Sequence, residues 1–393
     1  ISVSLVPLSL ISGSFFPDLF ASLSALLMLY IIINKNLFSY LTNKYSIFFF
    51  AYCTYLIILS LLSENIILTL VSTLFYLRFG FFAISVLYLL DTNKNFLLFF
   101  SISIFTAFFI LILDTLSAIT FENSFFGNRY NGKYYTSVFG EEKIMGSYIS
   151  RLFPLMIFVL YCLKKINFIK KYFNFLNLLI IILCLFLVLL SNERAAIVII
   201  LINIFLYSIF RFDKYLNGFI IILMLAILTF ITISKEYRDF LLRGIYEPTT
   251  SEINSVNLYK NIFRNIDFPS DYYKLYSTGV KIFKDNYIFG IGPKNYRIKC
   301  AEKKYWFNEN QKDGCSTHPH HLFLQLLIET GIVGFIPILA VFISAIFIFL
   351  KNSLSVFMDK TKYNNLSYSV LLISLITNLM PIIPSGNFYG NWL

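Results

Sequence analysis

The three histidines of the chain fall in one short stretch, where a polar segment meets a long apolar run. His318, His320 and His321 lie in the sequence THPHHLFLQLLIETGIVGF. An imidazole with a pKa of about 6.5 can take a proton from a hydroxyl group at neutral pH, so this stretch predicts a general base. Imidazole is also the commonest metal ligand. A metal site and a set of interfacial polar residues that ease helix entry are therefore the alternatives.

Two arginines lie where apolar runs begin or end. Arg194, in SNERAA, follows a turn of a few residues between two runs, and its guanidinium could bind a phosphate group through two hydrogen bonds. The alternative is an arginine whose charged head simply reaches the membrane surface. Glu193 is either its partner or a solvated neighbour. Arg151 lies one to two turns inside another run and is either a functional residue or an interfacial anchor.

Polar residues also interrupt the runs themselves. His321, Gln325 and Glu329 are spaced four apart, so on a helix they form one polar stripe that must face protein or water rather than lipid. Hydrogen bonding between helices is the alternative to a functional role. Arg78 lies midway through an apolar run. It is either a functional residue or half of a structural pair with a carboxylate such as Glu329.

The segment before the histidines contains a glycine pair and two cysteines. Gly290 and Gly292, in FGIGPKNYR, do not follow a nucleotide-binding pattern, so they predict a tight turn. Cys300 and Cys315 could form a disulfide in an oxidising compartment, and two free thiols are the alternative. We expect the turn to present one of three side chains near the membrane surface: Lys294, Tyr296 or Arg297.

The elements that position these residues follow from composition. The 393 residues are 58% hydrophobic and 13% charged, with a mean hydropathy of +0.73, whereas soluble domains carry about 25% charged residues. This excludes a soluble enzyme, a secreted disulfide scaffold and a disordered chain. It predicts an all-α fold, a polytopic transmembrane helix bundle of about 11–12 spans. The net charge of +11 indicates cytoplasmic loops and lipid head groups rather than nucleic acid.

The apolar runs predict three parts: an N-terminal bundle at 1–233, a large loop with short helices at 234–320, and C-terminal spans at 321–393. A short connection rich in lysine marks the cytoplasmic side, which places the large loop on the periplasmic or outer side. Because the chain starts at Ile1 and stops just after a stretch of Gly, Asn and aromatic residues, we expect truncation at both ends. The lysines of that connection are Lys164, Lys165, Lys170 and Lys171.

The motifs, taken together, resemble those of the O-antigen ligase and polymerase family. The signature region of the resemblance covers about residues 180–345, and the segment FGEEKIMGSYISRLFP precedes it. The resemblance depends on the order, spacing and sidedness of four segments: FGEEKIMGSYISRLFP, SNERAA, FGIGPKNYR and HPHHLFLQLLIETGIVGF.

The resemblance implies a multi-pass glycosyltransferase of the bacterial inner membrane. Such enzymes take a glycan from an undecaprenyl pyrophosphate carrier on the periplasmic side. Ligases pass it to a sugar hydroxyl of lipid A–core, and polymerases pass it to another carrier-linked glycan. The implied reaction is independent of metal ions and needs no cofactor, and it inverts the anomeric centre in the ligases.

The resemblance also implies roles for particular residues. Arg194 matches a family arginine that holds the pyrophosphate. His320 best matches the family base, since the family usually has His-Asn where this chain has His320 and His321. The replaced asparagine leaves His318 or His321 open as the base.

A second family arginine precedes the glycine turn, and here this chain departs from the family. Tyr272 falls near that place, so Lys274 or Arg264 is expected to supply the charge. Arg151 is the further candidate for pyrophosphate binding, with Glu329 and Gln325 in support.

Two other classes of function are the alternatives to an enzyme. A transporter or lipid flippase would line its substrate path with Arg78, Arg151 and Glu329, and it predicts an inverted repeat. A sensor or assembly protein would bind a partner through the large loop. Most candidate residues cluster toward the outer face of the membrane, which favours the enzyme.

Overall fold

The computed structural model describes residues 1–126, 134–140, 142–210, 218, 270–307, 314–358, 366–381 and 383–390. This part of the chain is all-α and contains no β-strand. Its α-helices are α1 Ser2–Ser9, α2 Phe15–Asn34, α3 Lys44–Leu61, α4 Ile66–Thr92, α5 Phe96–Phe121, α6 Met145–Cys162, α7 Asn167–Ser191, α8 Arg194–Phe210, α9 Ser270–Asp285, α10 Tyr296–Lys299, α11 Leu322–Met358 and α12 Leu366–Asn378.

Seven helical segments of the described residues are long and apolar enough to cross a membrane, so the predicted polytopic helix bundle is confirmed. Three shorter apolar helices accompany them: Ser2–Ser12, Arg194–Ile209 and Tyr368–Asn378. The end of the predicted N-terminal bundle, at 219–233, lies outside the described residues. The seven segments are Phe15–Asn34, Lys44–Leu61, Ile66–Thr92, Phe96–Phe121, Met145–Lys165, Asn167–Ser191 and Leu322–Ser355.

Large apolar side chains cover the outer faces of these helices. Ile67 is 82% exposed and Phe109 is 58% exposed, although each lies within a membrane-length helix. A lipid environment accepts such faces, and it also favours helices because every backbone group must bond within the protein. The hydrophobic surplus in the composition is therefore placed on lipid-facing surface rather than in one core.

The chain divides into two compact units, and each is described by itself. The first comprises 1–54, 74–217 and 338–383, and the second comprises 55–73, 218–337 and 384–393. In the first unit, α6 packs against α7, α8 and α12, and α1 packs against α2 and α5.

The intramembrane Arg78 belongs to the first unit and forms an ion pair with Asp18 of α2. The same guanidinium lies over the ring of Phe79, at 5.0 Å from the ring centre. The suggestion that Glu329 would be its carboxylate partner is therefore wrong. Asp18 compensates the charge, which gives Arg78 a structural role.

A small core holds the loop part of the second unit together. Tyr296 is fully buried there, and its hydroxyl donates to the carbonyls of Leu275 and Gly314, at 3.0 and 2.8 Å. Cys300 and Cys315 form a disulfide beside it. This core links α9 and α10 to the start of α11. Its buried members are Ile282, Tyr296, Cys300, Tyr305 and Ile328.

Candidate active site

The predicted site residues fall in both units. Arg151 and Arg194 belong to the first unit. The second unit contains the remaining ones: Lys274, His318, His320, His321, Gln325 and Glu329.

Arg194 is the first residue of α8, directly after a sharp turn. The helix α7 ends at Ser191, and Asn192 then adopts a left-handed conformation with φ 54° and ψ 33°. Asparagine tolerates this region better than most residues, which explains its place in the SNERAA motif. The turn fixes the point from which the Arg194 side chain leaves the backbone.

Glu193 caps the N-terminus of α6. Its carboxylate accepts the backbone N–H of Gly146 at 2.6 Å, and the N–H and hydroxyl of Ser147 at 3.1 and 2.6 Å. Burial raises the pKa of Glu193, and the hydrogen bonds from Ser147 and Gly146 oppose that rise. A carboxylate satisfies the free N–H groups of a helix start and its dipole. Glu193 therefore holds the start of α6 against the turn between α7 and α8, and it is not a solvated neighbour of Arg194.

Arg151 joins α6 to α12. Its Nη1 atom donates to Oδ1 of Asn378 at 2.5 Å, and the side chain is half-buried. The contact orients the guanidinium inside the first unit and holds two helices together. The sequence does not point to Asn378, because nothing near it in the chain indicates a charged partner.

His318 and His320 form a close pair of imidazoles, tilted by 45° to each other, before α11 begins. Their ring centres lie 4.0 Å apart, and the Nδ1 atom of His318 is 3.0 Å from the hydroxyl of Thr317. Tyr272 lies beside this pair, and its ring centre is 6.0 Å from that of His320. Tyr272 thus occupies the place before the glycine turn as an aromatic neighbour of His320.

Burial favours the neutral form of both imidazoles. It lowers the pKa of His318 to about 4, with a further contribution from the neighbouring His320, and it lowers the pKa of His320. His320 also has φ 54°, a left-handed conformation that a non-glycine residue seldom adopts. A rigid backbone therefore presents an unprotonated pair of rings, which is the form that accepts a proton.

His321 has a different role, because it caps α11. Its Nδ1 atom accepts the backbone N–H of Leu324 at 3.1 Å, which is the bond that a side chain at the N-cap makes to the third helical residue. Its ring also meets that of Tyr276, with 5.5 Å between ring centres. The structure thus separates His321, bound to the helix end, from the pair His318 and His320.

Gln325 and Glu329 fasten three segments of the second unit together. Both are fully buried. Gln325 donates to Glu329 at 3.0 Å and to Asn387 at 2.9 Å, and it accepts the N–H of Phe388 at 3.1 Å. Glu329 lies 3.4 Å from the N–H of Tyr296. The polar stripe therefore faces protein, as its spacing predicts, and its contacts are those of a structural network.

The glycine turn docks against a break in α11. Gly331 has φ 64° and ψ −173°, so the helix is interrupted there. Four backbone hydrogen bonds of 2.9–3.2 Å join the two segments and satisfy the groups that the break frees, as a bilayer demands. With the donor first, the pairs are Ile291–Ile328, Gly292–Glu329, Ile332–Tyr287 and Val333–Ile288.

Arg297 follows the turn and adds a cation near the imidazole pair. Its positive charge helps to lower the pKa of His318, although burial and the neighbouring His320 contribute more. The buried Nε atom makes no hydrogen bond with the described residues. The sequence offered Arg297 only as one of three alternatives. Lys274 lies half-buried in α9, and Arg264 lies outside the described residues.

Residues 179–339 match the family model described as O-antigen ligase. This match supports the similarity of this region to the O-antigen ligase family. The matched segment includes the Asn192 turn, the docked glycine turn, the imidazole pair and the break in α11. No curated protein and no solved structure matches the chain.

The structure gives a physical reason why a histidine, His321, can replace the asparagine expected after His320. The family usually carries asparagine where this chain has His321. Asparagine is among the best N-cap residues, because its side-chain oxygen accepts the backbone N–H two or three residues ahead. His321 accepts the same bond through Nδ1. A histidine in place of an asparagine at this position therefore preserves the cap of α11.

Proposed function

We propose that the protein transfers a glycan from undecaprenyl pyrophosphate to a sugar hydroxyl on the periplasmic side of the bacterial inner membrane, without a metal ion. The acceptor is lipid A–core if the protein is a ligase, or a carrier-linked glycan if it is a polymerase. The close imidazole pair of His318, which is buried, and His320, which is half-buried, carries this proposal, because it provides a proton acceptor at the start of a membrane-length helix.

The proposed chemistry needs one base and several cations. His320 takes the proton from the acceptor hydroxyl, and His318 holds the second ring against it. The pyrophosphate leaving group departs with negative charge, which arginine and lysine side chains stabilise. Arg194, Arg151 and Lys274 are the proposed pyrophosphate-binding residues, while Gln325 and Glu329 support the histidine segment.

A transfer assay in membranes tests the proposal and decides between the two acceptors. Undecaprenyl-pyrophosphate-linked glycan is supplied with lipid A–core or with carrier-linked glycan, in the presence of a chelator. We expect transfer to one acceptor only. Transfer that requires an added divalent cation, or transfer to neither acceptor, contradicts the proposal.

We expect Arg194→Ala to lower transfer by about 100- to 1000-fold, because one desolvated contact to the developing charge contributes about 2.7–4 kcal/mol. Arg194→Lys should restore only part of the rate, since an ammonium cannot form the paired bonds of a guanidinium. Initial rates at matched protein levels measure both variants. Arg78→Lys, which retains a cation opposite Asp18, is the control. Equal rates in wild type and Arg194→Ala remove the residue from the proposed site.

The acid limb of the pH profile should lie below pH 6.5. The base must be neutral to act, and the pKa values of His318 and His320 are both lowered from that of a free imidazole. Transfer rates should therefore decline less between pH 7.5 and 6.5 than they would with a free imidazole as the base, and they should fall further at lower pH as the imidazoles gain protons. Measurement of kcat/KM across this range tests the expectation. A limb at or above pH 6.5 contradicts it.

A further inference from the structure

A cavity of about 240 Å³ lies beside the glycine turn in the second unit. It is bordered by the end of α3, the turn that follows it and the docked segment before α10. At about 30 Å³ for each water molecule, the space holds roughly eight waters, which suits a single sugar ring rather than an extended lipid chain. No residue of the proposed catalytic chemistry lines it.

Three asparagines provide the polar lining of this cavity: Asn65, Asn286 and Asn295. Asn295 is 4% exposed, and its Nδ2 atom donates to the carbonyl of Ile291 at 2.7 Å. Its Oδ1 atom is buried and has no hydrogen-bond partner among the described residues. Such an acceptor loses free energy unless a donor reaches it. Amides offer both donors and acceptors, as a set of sugar hydroxyls requires.

The charged rim of the cavity argues against an anionic ligand. Lys299 binds the carboxylate of Glu64 at 2.7 Å and that of Glu302 at 3.0 Å. One ammonium thus faces two carboxylates, so the rim has no surplus of positive charge to hold a phosphate. The ring of Phe289 is 58% exposed and lines the same cavity, which offers a flat apolar face to the C–H side of a sugar.

The cavity is also linked to the imidazole pair through one short segment. Asn295 lines the cavity, the N–H of the next residue, Tyr296, faces Glu329, and Arg297 lies near His318. Three consecutive residues therefore connect the cavity to the surroundings of the imidazole pair. The geometry points to a subsite for a neutral sugar unit of the glycan substrate, held by Asn65, Asn286, Asn295 and Phe289. This inference rests on the proposed function.

Binding of methyl hexopyranosides and a methyl N-acetylhexosaminide tests the subsite. The full chain is placed in phosphatidylcholine nanodiscs, free of glycosidic detergent, and saturation-transfer NMR gives the dissociation constants, with methyl phosphate as the anionic probe. We expect millimolar binding of at least one sugar and weaker binding of methyl phosphate. Asn65→Trp, which fills the cavity from a half-buried turn position, and Phe289→Ala should each weaken sugar binding about tenfold.

Phe126→Ala is the matched control, because this ring is 63% exposed and belongs to the first unit. It should leave sugar binding unchanged. In the transfer assay, Asn65→Trp should raise the KM of the substrate whose sugar occupies the cavity, which distinguishes donor from acceptor. Unchanged sugar binding in Asn65→Trp, preferred binding of methyl phosphate, or unchanged KM values for both substrates overturns the subsite. If wild type transfers no glycan, the proposed function fails, while the binding series still decides whether the cavity binds sugar.

Discussion

Glycan transfer should fall at least about 100-fold when His320 is replaced by alanine, because a positioned general base contributes about 10²–10⁴-fold to rate. The half-buried ring of His320 has a lowered pKa, and its centre lies 4.0 Å from that of His318 on a left-handed backbone. His318→Ala should have a smaller effect, since it removes the neighbouring ring and leaves the base. Initial rates in membranes at equal protein levels measure both variants.

His321→Asn is the matched control for the histidine series. Asparagine can accept the N–H of Leu324 as the His321 ring does, so this variant should keep both the cap of α11 and most of the transfer rate. His321→Ala removes the cap and should cost about 1 kcal/mol of stability. If His321→Asn loses as much transfer as His320→Ala, the division of roles among the three histidines is wrong.

Gly331→Ala should strongly destabilise the second unit, because the docked turn leaves no room for an added methyl group. Gly331 has φ 64°, and a Cβ atom would overlap the backbone carbonyl of Ile288 in that turn. The left-handed conformation alone costs an alanine about 1–2 kcal/mol. Separation of the backbone hydrogen bonds adds about 1 kcal/mol or more for each bond lost. A Cβ atom at Gly290 would overlap the backbone of Ile328, Glu329 and Gly331 in α11, so Gly290→Ala should also be destabilising.

Gly140→Ala separates the two contributions. Gly140 has φ 68°, but a Cβ there meets no atom within 4 Å, so the variant carries the conformational cost without the overlap. Melting temperatures of the purified variants in lipid nanodiscs should follow the order wild type, Gly140→Ala, Gly331→Ala. Similar melting temperatures for Gly140→Ala and Gly331→Ala would show that the docked turn contributes little to stability.

Much of the fold could be predicted from the sequence, because apolar length determines which segments become membrane helices. The predicted runs at 96–117 and 174–191 lie within α5 and α7. The break at Gly331 could not be predicted, because the apolar run at 321–350 indicates one uninterrupted helix. Apolar residues continue through the break, and the groups that satisfy it come from a turn about 40 residues earlier in the chain.

The sequence predicted the composition of the site better than its contacts. A spacing of four placed Gln325 and Glu329 on one face, and the structure shows both in one network. The cap made by His321 could not be predicted, because any of the three histidines within residues 318–321 could cap the helix until the first residue of α11 is known. The sequence also suggests the wrong partner for Arg78, because Asp18 looks only like a break between two apolar runs.

The docked turn also dictates an order of events during biogenesis. The apolar segment 322–355 has the length and composition to enter the bilayer as one continuous helix. The earlier turn must dock before that helix can break, since its carbonyls and N–H groups replace the helical bonds lost at Gly331. Insertion therefore comes first and helix interruption second, so the kink is a product of tertiary assembly rather than of translocation.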